Sequence, residues 1–375
     1  MNRRRLIASA GISALALVGG GVYWRVTRMP QSAFLPWSIG KSVPADVRLD
    51  AFRYAILAPN PHNRQPWLIK LIGNDSAIIS CDLAKRLPET DPFDRQITIG
   101  FGCFLELAHI AAAQRGVRME TALFPDGEPQ PRLDKRSVAS VKFVADPGAI
   151  SDPLFPFITK RRSNKEVYDL SKPVALGLAR KVAGPGDGAI VDVAAVAAIR
   201  DQIVEAMLTE QTTRRTYMES VRLMRIGHTE IDSNPDGIDL GGPMMEGLKL
   251  AGQLDRTQLS DPQSATFKAG LDSLTATYGS VPALIWIKTP TNSRADQIEA
   301  GRRYVRANLR ATQLGVDMHP MSQSLQEYAE VSKSYTAVHE LLGARGEERI
   351  QMLARIGFGT PVDPAPRWPL ETHLI

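Results

Sequence analysis

Cysteine is nearly absent from this 375-residue chain: Cys81 and Cys103 permit one disulfide and require none, so free buried thiols are expected rather than a disulfide scaffold. Histidine is sparse as well. The six residues are scattered, no His/Cys group has metal-site spacing, and metal chemistry has no support. Nor does any Ser/His/Asp or Cys/His set stand out for nucleophilic catalysis. The body of the chain also lacks an excess of one charge. The net charge of +5 is accounted for by Arg3, Arg4, Arg5, Arg25 and Arg28, a stretch without acid, so the remainder balances and a nucleic-acid partner loses its electrostatic basis. What is present is ordinary globular material, 43% hydrophobic and 23% charged, enough for one large or two ordinary domains.

The N-terminal arginines precede an apolar run, Leu6 to Trp24, which reads as an export signal or membrane anchor. Arg3-Arg4-Arg5-Leu6-Ile7 resembles a twin-arginine signal, whose machinery moves folded and often cofactor-loaded proteins. The run is nearly long enough to span a bilayer, and its best small-residue cleavage pattern, Ala14-Leu15-Ala16, is poor. Both readings therefore stand over residues 1–28: a periplasmic protein with a cleaved signal, or one held to the membrane by an uncleaved segment. A Pro-rich linker is expected over 29–44.

A first half is expected over residues 45–150. It opens with a helix from Ala45 to Leu57 that Pro59 and Pro61 stop. Strands over Trp67–Ile72 and Ala77–Cys81 flank the turn residues Gly73-Asn74-Asp75. Ile97 to Arg115 reads as a buried, Ala-rich helix ended by Gly116. The second half, 151–375, is expected to contain a helix at Phe155–Lys160, a long helix from Val196 to Ile226 and a strand at Ala283–Lys288. Helices follow at Ser293–Leu314 and Ser324–Leu342, before a Pro-rich tail. Residues 229–279, rich in Gly, Met, Asp and Pro, have little clean periodicity and read as a lid. Gly102–Val117 matches Gly301–Val316 at six of sixteen positions, a repeat that would bury one helix against the other.

Four segments carry the candidate chemistry. Ala58-Pro59-Asn60-Pro61-His62-Asn63-Arg64-Gln65-Pro66-Trp67 places two amides on a proline-bounded loop, where they can offer donors and acceptors to a polar ligand. Arg161-Arg162-Ser163-Asn164-Lys165 combines guanidinium, hydroxyl and ammonium, the set a phosphate dianion needs. Gly315 to Gln323 contains His319, Pro320, Ser322 and Gln323. The tail ends in Pro364-Ala365-Pro366-Arg367-Trp368-Pro369-Leu370.

Together these segments resemble the nitroreductase family of FMN-binding proteins. Asn63, Gln65, Pro66 and Trp67 match its N-x-Q-P-W loop, with Asn60 where Ser is usual; Arg161, Ser163 and Lys165 match its R-x-S-x-R/K signature. The resemblance implies an α+β fold with mixed or antiparallel sheets flanked by helices, and FMN as cofactor. His62, Asn63 and Gln65 would edge the flavin, and Arg161, Ser163, Lys165 and Arg367 would hold its phosphate. His319, Pro320, Ser322 and Gln323 would lie beside the ring, with backbone N–H groups at Ser322 or Gln323 approaching N5. The flavin would carry the chemistry, no side chain being required as a catalyst. His319 is the candidate proton donor, with a structural or flavin-contacting role as the alternative.

The motif order departs from the family's, because the N-x-Q-P-W loop precedes the phosphate signature by about a hundred residues. Family members are homodimers whose sites draw on both subunits, so the order implies a duplicated fold fused in one chain. This arrangement resembles the Acg-type branch of single-chain pseudo-dimers, with one FMN per chain and a possibility of being monomeric. The implied function is FMN-dependent transfer of hydride or electrons to a nitro, quinone or related small-molecule acceptor. Sequestration or storage of FMN beneath the lid is the alternative, because export would remove the protein from an abundant nicotinamide pool.

Overall fold

The computed structural model describes residues 28–40 and 43–375. The run Leu6–Trp24, expected as signal or anchor, lies outside the described residues. The chain is α+β, with two four-stranded antiparallel sheets flanked by helices. In the first, β1 (Trp67–Ile72), β2 (Ser76–Cys81), β3 (Val117–Leu123) and β4 (Ala139–Ala145) lie in the order β1-β2-β4-β3. A short parallel pair, Met224–Ile226 with Ile238–Leu240, supplies β6 and β7. The second sheet contains β5 (Gly188–Ile190), β8 (Ala283–Thr289), β9 (Asp317–Pro320) and β10 (Arg349–Gly357). Its order is β5-β8-β10-β9, the same as the first with β5 standing for β1 and β8 for β2.

The helices repeat along with the strands. Val47–Ala55 precedes β1 as Leu176–Ala183 precedes β5, and Arg95–Ala113 follows β2 as Arg294–Gln313 follows β8. The two long helices cross at their repeated glycines. A β-carbon on Gly102 would run into the carbonyl oxygen of Ile298 and lie 2.9 Å from the Gly301 Cα. One on Gly301 would run into the carbonyl of Ile99 and lie 2.8 Å from the Gly102 Cα. Only glycine permits that approach. The match extends upstream, Arg95 with Arg294 and Ile99 with Ile298. Each arginine is buried and reaches into the other half: Arg95 donates to the Gln351 and Leu325 carbonyls, and Arg294 to those of Phe93, Pro129 and Pro131. One apolar core runs through both halves, from Trp67, stacked on Phe104 at 5.1 Å, to Ile298, Val305 and Ala354.

Several sequence expectations need correction. Phe155–Lys160 is only a 3-10 turn over Phe155–Phe157, consistent with Pro156 lacking an N–H to continue it. The long helix breaks at Thr213, which is extended between Val193–Thr212 and Arg214–Leu223. Ser324–Leu342 forms two 3-10 turns and a helix, Ser332–Leu341. The stretch expected as a lid, 229–279, is not irregular. Helices Gly227–Ser233, Pro243–Leu250, Arg256–Ser260 and Ala265–Gly279 fill it, the last two capped by Asp255 and Ser264. By topology the insertion is everything between β5 and β8, residues 191–282, where the first half has the turn 73–75. The stretch expected as a linker is folded in: Ala33 and Trp37 are buried, and the Ala33 carbonyl accepts from the Arg367 N–H at 2.8 Å.

Candidate functional site

The loop before β1 is held in a strained form by its own side chains. Asn60 Oδ1 accepts from the Gln65 N–H at 2.7 Å, closing the loop on itself. His62, Asn63 and Gln65 all have positive φ, 44°, 51° and 50°. Left-handed backbone costs a non-glycine residue about 1 kcal/mol or more, and such residues persist where surrounding contacts hold them. Both amides in fact serve as braces. Asn63 donates to the Pro366 carbonyl at 2.9 Å and accepts from Arg367 at 2.6 Å. Gln65 donates to the Pro235 carbonyl at 2.7 Å and accepts from the Trp368 N–H at 2.9 Å. The sequence expectation was that these amides face a ligand. The structure instead has them joining the loop to the tail and the insertion.

Two arginines converge on the end of helix Val47–Ala55. Arg161 donates to the Leu57 carbonyl at 2.7 Å and to Asn308 Oδ1 at 3.0 Å, leaving its buried Nε without an acceptor. Burial pushes its pKa down to about 10. Arg367 directs donors at the carbonyls of Ile56, Leu57, Ala58 and Pro366 and at Asn63 Oδ1. All five N–H groups of that guanidinium are thereby engaged, so as placed Arg367 ties helix, loop and tail together and offers no free donor to a phosphate. Arg162 is half-buried and, among the described residues, donates only to the carbonyls of Thr159 and Arg161. Among the described residues the Ser163 hydroxyl and the exposed Lys165 ammonium make no hydrogen bond or ion pair.

The third segment meets the second through the Asn164 N–H, which donates to the Met318 carbonyl at 3.1 Å. His319 on β9 is buried, and its Nδ1 accepts from Arg355 Nε at 3.2 Å. Burial, then the charges of Arg355 and Lys165, hold its pKa well below the usual histidine range. It is therefore a neutral imidazole with its proton on Nε2, which argues against an acid at this position. Pro320 ends β9, and a 3-10 turn over Gln323–Leu325 follows. Residues at the start of such a turn, Ser322 and Gln323, carry N–H groups that the turn itself does not use.

Lys165 links the three segments electrostatically, since its charge acts on His62, His319 and Asp239. His62 and Asp239 both keep accessible surface, yet burial is the first cause of their shifts, His62 downward to about 4 and Asp239 upward. The insertion is fastened against the loop before β1. Buried Asp236 pairs with Arg64 at 3.2 Å, Lys85 at 2.5 Å and Arg225 at 2.6 Å, and the Gly237 N–H donates to the Asn63 carbonyl at 3.2 Å. Asp236, Asp239, Asn308, Arg355 and Trp37 were all missed in the sequence. They come from separate elements, and no local pattern connects them to the motifs.

Comparison with known proteins supports the resemblance. No family model matches the chain. Two curated proteins of Mycobacterium tuberculosis, provisionally named NAD(P)H nitroreductases, are each 26% identical over 335 residues, covering 84% of this chain and 90% of their own length. Among solved structures, a provisionally named nitroreductase from Anabaena variabilis gives a TM-score of 0.44 at 11% identity, over 88% of this chain and 91% of its own. The FMN-dependent nitroreductase NfnB of Mycobacterium smegmatis, solved with NADPH, gives 0.34 at 15% identity, over 57% of this chain and 92% of its own. Along most of its length, then, the chain is similar to proteins named as NAD(P)H nitroreductases.

Proposed function

We propose that this chain is an FMN-dependent oxidoreductase of the nitroreductase type, with one flavin site formed between its two halves. The observation that carries the reading is a set of cations, brought together where the two halves meet, that form no ion pair among the described residues. Arg161 has a buried Nε with no acceptor, Arg162 and Lys165 form no ion pair, and the Ser163 hydroxyl is unbonded beside them. Arg161 is a buried charge, stable only when matched, and with the half-buried Arg162 and the exposed Lys165 beside it the set suits a phosphate. When bound, FMN would supply the two-electron redox chemistry. The chain would contribute placement: Arg161, Arg162, Ser163 and Lys165 for the phosphate, and the Ser322 and Gln323 N–H groups for the ring edge. His62 and His319 would be uncharged walls. The acceptor would be a nitro, quinone or related small molecule, and the names of the curated relatives support a nicotinamide as donor.

A second reading rests on the insertion. Asp236, Pro235 and Gly237 fasten it to the loop Asn63–Gln65, which favours a covered flavin and a sequestering role. The twin-arginine-like N-terminus supports export, and with it a donor other than a cytoplasmic nicotinamide.

Purified full-length protein is expected to be yellow and to release about one FMN per chain on denaturation. Anaerobic bleaching by NADH or NADPH, followed by turnover with a nitroaromatic or quinone, would support the reductase. Bleaching by dithionite alone would favour sequestration. Colourless protein that takes up no added FMN would overturn both readings.

A further inference from the structure

The segment before the first long element brings an indole into the cationic corner of the site. Trp37 ends the 3-10 turn Leu35–Trp37 and is 8% exposed. The guanidinium carbons of Arg162, Arg367 and Arg161 lie 5.1, 5.3 and 5.5 Å from its ring centroid. None of the three arginines forms an ion pair among the described residues. Burial, and then the charges of Arg161 and Arg162, disfavour the Arg367 cation, with Asp239 acting the other way, so three like charges share this corner. An aromatic face supplies negative potential to a cation without using its N–H groups. A guanidinium can thus stack on a ring and still hydrogen-bond through its edge, which a carboxylate partner would occupy.

Backbone contacts keep the ring in place. The indole Nε1 donates to the Ala365 carbonyl at 2.8 Å, two residues before Arg367, whose own N–H donates to the Ala33 carbonyl. Ser32 Oγ and the Ala33 N–H both donate to Asp232 Oδ1, on the insertion helix Gly227–Ser233. Residues 31–37 are therefore fixed to the tail on one side and to the insertion on the other.

We propose that Trp37 is a positioning residue for the phosphate end of FMN. It gathers Arg161 and Arg162 so that their free N–H edges serve the phosphate, and through it the N-terminal segment becomes part of the cofactor site. This rests on the FMN reading above. The two can be tested apart by comparing FMN with riboflavin, which lacks the phosphate, on flavin-stripped full-length protein. Dissociation constants would be read by quenching of flavin fluorescence.

Wild type is expected to prefer FMN. Trp37→Leu fills much of the space without a π face; it should weaken FMN about tenfold or more while leaving riboflavin within about threefold. Trp37→Phe, which keeps a ring, should recover most of the loss. Equal losses for the two flavins would overturn the proposal, because they indicate a general packing defect. Unchanged FMN affinity in Trp37→Leu would overturn it too, and tighter binding would mean that the ring obstructs the site. If Trp37→Leu does not fold, FMN and riboflavin affinities of Trp37→Phe decide: a preference for FMN within threefold of wild type supports the proposal, and loss of that preference overturns it. No FMN preference in wild type, or none lost in Arg161→Ala, would instead sink the underlying FMN reading.

Discussion

The two halves share one strand order and differ at two loops. Ahead of the first strand, the first half has the long strained loop 56–66 and the second has only residues 184–187. Between the first two strands the situation reverses, with the turn 73–75 in one half and the insertion 191–282 in the other. The same helix end is treated differently as a result. Carbonyls of Ile56, Leu57 and Ala58 are bound by Arg161 and Arg367, which arrive from far along the sequence. Those of Val182 and Ala183 are bound by Arg310 of the neighbouring repeated helix. Cations at a helix C-terminus satisfy its last carbonyls in both cases. In the first half the arginines that do so also build the cationic corner; in the second, Arg310 closes the space against Gly184. Each half retains what the other lacks, which is why a single site is expected per chain.

The crossing of the repeated helices gives the largest test. Gly102→Ala and Gly301→Ala each drive a β-carbon into a backbone carbonyl that cannot rotate away. Each is expected to cost at least about 3 kcal/mol, despite the better helix propensity of alanine. Gly270→Ala, in a helix position with open space around it, should be neutral or stabilising by up to about 1 kcal/mol. Urea unfolding would measure all three. Similar losses at Gly102 and Gly301 support the two-fold relation; a harmless change at either one breaks it.

Asp236 tests whether the insertion is fastened to the first half. Burial raises its pKa, but hydrogen bonds from Lys85 and Arg225 more than offset this and leave it below the ordinary carboxylate value. That contribution is present above the unfolded-state pKa and is lost as pH falls through the folded one, in the acid range. Removing one partner of a buried pair leaves the others unmatched, and Lys85 and Arg225 are partly exposed, so Asp236→Asn should cost about 2 kcal/mol. Hydrogen exchange should rise most around residues 227–240 and at the loop Asn63–Gln65. Protection unchanged there would mean that the insertion is held by other contacts.

Legibility in the sequence followed the range of the interactions. Strand Trp67–Ile72 and helix Arg95–Ala113 were readable because alternation, turn residues and a terminal glycine are local signals. The repeat was readable too, and extending it seven residues upstream would have found Arg95 and Arg294. Thr213 was not readable, since nothing in Glu210 to Arg214 marks a break and packing decides it. The motifs did locate the loop and the basic run. What they could not give was which donors remain free: Asn63, Gln65 and Arg367 are occupied by residues more than 150 positions away. Trp37 was invisible for the same reason, because a single aromatic in a Pro-rich stretch carries no pattern.

The smallest test contrasts Asp236 with another buried acid of the insertion, Glu210. Among the described residues Glu210 has no cationic partner; Gln326 donates to it at 2.7 Å, and Gln323, whose Oε1 accepts from Tyr278, lies beside it. Burial raises its pKa to about 7, hydrogen bonds from Gln326 and Gln323 pull the other way, and Glu219 adds to the rise. The folded state therefore holds a proton that the unfolded state has released between about pH 4.5 and 7. Over that window wild-type stability falls as pH rises, and the penalty is complete above it. Glu210→Gln keeps the acceptor for Gln326 and removes the charge. Its melting temperature should match wild type near pH 4.5 and exceed it progressively to pH 7–8, by an amount worth about 1–2 kcal/mol. A gain independent of pH would show that Glu210 ionises freely. The insertion would then meet the Gln323 loop through a charged contact, as it meets the first half through Asp236.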